Sequence, residues 1–105
     1  MKLYNKLVRD RIPEIMEANG EIPLTRILDS SAYLECLEEK LDEEVQEFHE
    51  NKDPEELADI LEVIYALAEA HGSSKQKLMD TYNCKHTSRG GFTNRVFLIG
   101  KAQID

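Results

Sequence analysis

Leu34, Leu37, Leu41, Val45 and Phe48 recur at three- and four-residue steps, the spacing that lines one face of an α-helix. A further three-residue step from Leu41 lands on Glu44, and a four-residue step from there lands on Phe48. A carboxylate therefore occupies a core-like position. Burying it unpaired costs on the order of several kcal/mol, so it needs a cation or a hydrogen-bond network. This helix, predicted over about residues 32–51, commits the chain to helix-on-helix packing and commits Glu44 to a polar partner.

The break after it is equally legible. Asn51-Lys52-Asp53-Pro54 interrupts the stripe, and Asp53-Pro54-Glu55-Glu56 supplies a capping residue, a proline at the first helical position and a glutamate at N3, which predicts a helix from Pro54. Leu57, Ile60, Leu61, Val63, Ile64, Tyr65, Ala66, Leu67 and Ala68 make that helix apolar on nearly every face. It is expected to be central and the most buried of the set. Gly72 closes it, Ser73-Ser74-Lys75-Gln76 offers another capping box, and a third, weakly amphipathic helix is predicted to about His86.

The two ends differ from this middle. Pro13 suits the first turn of a short helix to about Asn19, with Gly20 as its left-handed C-cap, and Asp29-Ser30-Ser31 can cap the first long helix. Arg89-Gly90-Gly91-Phe92 reads as a turn, and Arg95-Val96-Phe97-Leu98-Ile99 favours an extended strand. The expected fold is all-α. It is a single domain over residues 1–105, an antiparallel helical bundle with two long core helices, a short N-terminal helix and a short extended C-terminal tail.

Charge narrows the partners. A net charge of −8 on 105 residues argues against binding duplex nucleic acid, whose phosphates attract clustered Lys and Arg. An acidic chain can still take a phosphate ligand through a bound metal. Cys36 and Cys84 lie far apart with no C-x-x-C spacing, and no apolar stretch follows Met1-Lys2-Leu3, so reduced thiols in a cytoplasmic protein are expected. No apolar run approaches the roughly 20 residues that span a bilayer. A chain this short has a high surface-to-volume ratio, and self-association would add burial.

Helical geometry gathers the carboxylates. Glu44 and Glu47 at i, i+3 and Glu43 and Glu47 at i, i+4 share faces of the first long helix, and Glu56 and Asp59 share a face of the second. Antiparallel neighbours joined by the short turn 51–53 bring the two sets face to face. Four carboxylates without a metal repel one another, whereas Mg²⁺ between them turns repulsion into attraction. Glu43, Glu47 and Glu50 can equally be read as a solvated face, the default for a Glu-rich helix and the expected reading for Glu38, Glu39 and Glu50. Glu56 can equally serve as the N3 partner of the Asp53 cap, and Lys40 either as an intrahelical salt-bridge partner of Glu44 or as a phosphate ligand.

The pattern Glu43-Glu44-x-x-Glu47 followed by Glu56-x-x-Asp59 resembles the E-E-x-x-E … E-x-x-D signature of the MazG-like all-α nucleoside-triphosphate pyrophosphohydrolases. That superfamily includes phosphoribosyl-ATP pyrophosphohydrolase and the dimeric dUTPases. The opening Tyr4-Asn5-Lys6-Leu7-Val8-Arg9-Asp10-Arg11-Ile12-Pro13 and the closing Arg89-Gly90-Gly91-Phe92 resemble a small subgroup of house-cleaning enzymes. The resemblance implies an oligomeric helical bundle, a homodimer or homotetramer. It also implies Mg²⁺, with Mn²⁺ as a substitute, held by Glu44, Glu47, Glu56 and Asp59, and hydrolysis between the α- and β-phosphates to a nucleoside monophosphate and pyrophosphate. Glu43 would be a further ligand or would orient the attacking water, making Glu43, Glu44 and Glu47 the catalytic set. Only eight residues separate Glu47 from Glu56, fewer than is usual in the superfamily, which leaves less room for a base pocket between these helices.

Such chemistry also needs cations for the leaving pyrophosphate. Lys6, Arg9, Arg11 and Lys40 are the candidates, with Arg89 and Arg95 behind them. Two other functions fit the same acidic helices: hydrolysis of phosphoribosyl-ATP, and a non-catalytic module whose acidic face binds a partner.

Overall fold

Asp29 starts the first long helix by accepting a hydrogen bond from the Ala32 N–H at 2.8 Å, the N-cap that satisfies one of the helix's orphan donors. The computed structural model describes residues 1–104. It contains four helices, α1 (Ile12–Ala18), α2 (Ser30–Asn51), α3 (Glu55–Ala70) and α4 (Lys75–Arg89). The protein is all-helical, with no strand among the described residues.

The punctuation between helices follows from local chemistry. Gly20, at φ +80°, ends α1 in a Schellman arrangement, with the Gly20 N–H on the Glu17 carbonyl and the Glu21 N–H on that of Met16. Gly72 at φ +82° repeats the device after α3, its N–H reaching Glu69 and that of Ser73 reaching Ala68. Asp53 caps α3 by accepting from the Glu55 N–H at 3.0 Å. The expected reciprocal bond from Glu56 does not form, because the Glu56 carboxylate instead accepts from Asn51 Nδ2 at 3.1 Å. Ser74, rather than Ser73, caps α4 through the Lys77 N–H. Gln76 donates to Asp80 one turn on, so no capping box closes there. This helix runs one turn past His86 to Arg89.

α3 is the shared neighbour, packing along α2 and more narrowly on α4. Two expectations fail at this level. α3 is not enclosed: Val63 alone on it is buried, while Leu57 and Leu61 are 49% and 45% exposed, because this single chain offers α3 only two helical neighbours. The segment 95–99 forms no strand, since no second extended segment lies beside it to complete a hydrogen-bonded ladder. Val96, Phe97, Leu98 and Ile99 all stand in solvent.

The chain is consequently extended. Its accessible surface is 9611 Å², against about 6,000 Å² for a globular monomer of this mass. Its radius of gyration is 19.0 Å, where about 13 Å is ordinary for this length. Among the described residues, Leu37 and Val63 are the buried apolar side chains, and the third buried residue is Glu44.

Candidate metal centre

The antiparallel pairing of α2 and α3 brings one carboxylate oxygen each from Glu44, Glu56 and Asp59 within 4.8 Å of one another. α2 contributes Glu44 from the stripe that packs on α3, and α3 contributes Glu56 and Asp59 from adjacent turns of one face. Glu44 is the innermost, 7% exposed. Its Oε1 lies 3.4 Å from Lys40 Nζ, and its Oε2 is buried with no hydrogen-bond partner. Buried polar atoms in folded proteins are nearly always satisfied. An orphaned carboxylate oxygen among hard oxygen donors fits a divalent cation such as Mg²⁺, which takes oxygen ligands in preference to nitrogen or sulfur.

Glu47 sits at the edge of this group. Its carboxyl is held above the ordinary glutamate range, chiefly by the charge of Glu44, then by burial and by the charges of Glu56 and Glu43. Like charges that converge without a counterion bind protons more tightly. Glu43 lies off the cluster, 3.4 Å from Lys40 Nζ. Lys40 is therefore bracketed by Glu43 and Glu44 on its own helix, an intrahelical salt-bridge residue.

The remaining cations separate cleanly. Arg9 Nη2 donates to Asp59 Oδ1 at 2.8 Å, so the N-terminal segment supplies a guanidinium at the cluster's rim. Arg11 pairs with Glu14 on its own helix, and Lys6 lies over the Tyr4 ring. Arg89 ends α4 and Arg95 sits in the turn that follows, both exposed. Neither makes an ion pair among the described residues. Asp59 stands on the helix expected to be the most buried, yet it is 43% exposed and paired with Arg9, because α3 is open on that side.

Two partners escaped the sequence reading. Arg9 lies 50 residues from Asp59, beyond any local spacing rule; the one available signal was a cluster of basic residues in an acidic chain. The Asn51–Glu56 bond was hidden because the capping-box pattern offered Glu56 a different partner. Cys36 and Cys84 are free thiols, and no helix is long and apolar enough to cross a membrane.

No family model matches the chain, and no solved structure matches it. An uncharacterized protein of Mycolicibacterium smegmatis is 52% identical over 42 residues, covering 40% of this chain and 43% of the relative's own length.

Proposed function

We propose that this protein is a Mg²⁺-dependent nucleoside-triphosphate pyrophosphohydrolase that converts aberrant nucleotides to a nucleoside monophosphate and pyrophosphate. The observation that carries it is a buried Glu44 whose Oε2 has no hydrogen-bond partner, in a residue whose carboxylate converges with those of Glu56 and Asp59. Mg²⁺, or Mn²⁺ in its place, would be held by Glu44, Glu56 and Asp59 with Glu47 beside them. When bound, it would neutralise the triphosphate and the charge that develops on it.

The chain's own groups divide the remaining work. Water attacks the α-phosphorus, the bond from that phosphorus to the α–β bridging oxygen breaks, and its electron pair leaves with pyrophosphate. Glu43 or Glu47, the carboxylates beside the cluster on α2, would take the water's proton. Lys40 steadies Glu43 and Glu44 from the protein side, and Arg9 is the cation nearest the open rim. The free thiols of Cys36 and Cys84 suit a cytoplasmic setting.

We also infer self-association, as a homodimer or homotetramer. Each chain exposes roughly 3,600 Å² more than a globular monomer of its mass, more than the roughly 1,000–2,500 Å² per partner that an obligate dimer ordinarily buries. The exposed Leu57 and Leu61 stripe on α3 is the surface a second copy would cover.

The decisive experiment is ³¹P NMR of products from a panel of nucleoside triphosphates and phosphoribosyl-ATP, with and without Mg²⁺. Equimolar pyrophosphate and monophosphate from triphosphates, dependent on Mg²⁺, is the expected result. Turnover of phosphoribosyl-ATP alone would transfer the protein to that reaction, and absence of any turnover would favour a non-catalytic acidic module.

A further inference from the structure

An exposed ion pair ordinarily contributes little. The Arg9–Asp59 pair differs in what its carboxylate does: Asp59 is one of three carboxylates that converge, and another of the three, Glu44, carries a buried oxygen with no hydrogen-bond partner. It is also the single ion pair or side-chain hydrogen bond, among the described residues, that ties residues 1–11 to the long helices. Lys2 and Lys6 lie over Tyr4 within their own segment, and Arg11 turns to Glu14.

We infer that Arg9 is an internal counterion that gives up Asp59 when a divalent cation enters the cluster and then grips the phosphate oxygens of the incoming ligand. The inference rests on the metal reading above. A cation taking oxygens of Glu44, Glu56 and Asp59 comes within coordination distance of the carboxylate that Arg9 holds at 2.8 Å. Two positive groups then compete for one carboxylate, and the guanidinium, already half exposed, loses little by leaving. Leu7 and Val8 beside it are each partly buried, so the burial of this segment does not depend on the ion pair alone. Arg9 therefore changes partner without leaving the neighbourhood. Its planar fork of N–H donors suits phosphate oxygens better than a lysine does.

The test follows the Arg9 side chain directly in the full-length protein, by ¹⁵N relaxation of its Nε–H, with MgCl₂ alone and with MgCl₂ plus inorganic pyrophosphate. The signal is assigned by its loss in Arg9→Gln. The exchange predicts an ordered Nε–H without cation, a mobile one with Mg²⁺, and an ordered one again when pyrophosphate is added. By calorimetry, Arg9→Gln binds Mg²⁺ about two- to fivefold more tightly, because a weak competitor is gone. It binds pyrophosphate to the Mg²⁺-loaded protein about tenfold or more weakly. Arg9→Lys keeps the charge without the fork, so its Mg²⁺ affinity stays near wild type while its pyrophosphate affinity falls between the two. Mg²⁺ binding that leaves the Arg9 Nε–H ordered, or pyrophosphate affinity indifferent to Arg9→Gln, would overturn the exchange and leave the metal centre standing. Absence of Mg²⁺ binding in the wild type would overturn the metal centre itself.

Discussion

The α2–α3 pair and the C-terminal tail invert the usual rule of burial in opposite ways. In the helix pair a carboxylate, Glu44, is among the three buried side chains. In the tail Val96, Phe97, Leu98 and Ile99 are between 82% and 95% exposed. Charged groups are almost never fully buried unless paired, and aliphatic ones are most often inside. The helix pair thus holds a buried carboxylate oxygen without a hydrogen-bond partner, and the tail holds aliphatic side chains without apolar cover. The charges point the same way, since residues 81–104 carry Lys85, Arg89, Arg95 and Lys101 and no carboxylate, while the helix pair carries the acidic excess.

The contrast breaks first at the core. Leu37, 3% exposed, should lose about 2–5 kcal/mol on replacement by alanine, enough to unfold much of a chain whose buried apolar set is so small. Urea denaturation of Leu37→Ala measures this, and a loss below about 1 kcal/mol would show that the helix pair is not the stabilising unit.

Glu44→Gln comes next, because it keeps the shape and removes the charge. Mg²⁺-dependent pyrophosphate release should fall at least about 100-fold, while the cation-free protein melts at the same temperature or higher, since removing the charge relieves its repulsion with Glu47, Glu56 and Asp59. A stable, fully active Glu44→Gln enzyme would place the chemistry elsewhere.

Much of this was written in local spacing. The stripe Leu34–Phe48 with its Glu44 intruder located α2 and its buried charge, and Asp53-Pro54 located the start of α3 within a residue. Gly20 and Gly72 stand where left-handed C-caps were expected. What escaped depends on groups distant in sequence. The openness of α3 could not be read from its own apolar faces, which show what a helix can bury but not how many neighbours arrive. The strand expected at 95–99 reflected β propensity, which measures fit to a sheet, and no neighbouring strand is present to form one. That Asp59 would converge with Glu44 and Glu56 was legible, but its pairing with Arg9 was not.

Acidification should produce a smaller change, confined to the helix pair. The carboxyl of Glu47 in the folded protein binds its proton more tightly than in the unfolded chain. Its contribution to stability is therefore full below the unfolded value and is lost as pH rises through the folded one. Lowering the pH from about 7 to about 5 should raise the melting temperature of the cation-free protein through this group. Mg²⁺ affinity should fall over the same interval, as protons compete for the carboxylates. Thermal melts with and without Mg²⁺ across that range check both; a cation effect independent of pH would remove Glu47 from the site.

The smallest effects belong to the solvated face and the tail. Glu50→Ala should change stability by no more than about 0.5 kcal/mol and leave turnover intact, because Glu50 only accepts from Gln46 on its own helix. Leu98→Ala should be equally quiet in the isolated chain. If the tail is covered on self-association, a concentration-dependent loss of melting temperature in Leu98→Ala will reveal it.

The central claim is that α2 and α3 fold a cation site around the orphaned oxygen of Glu44. Calorimetric titration of the full-length protein with MgCl₂, alongside Glu44→Gln and Glu50→Gln, tests it most directly. Saturable binding in the wild type and in Glu50→Gln, abolished in Glu44→Gln, is the predicted result. Equal binding in all three proteins, or none in any, would contradict it.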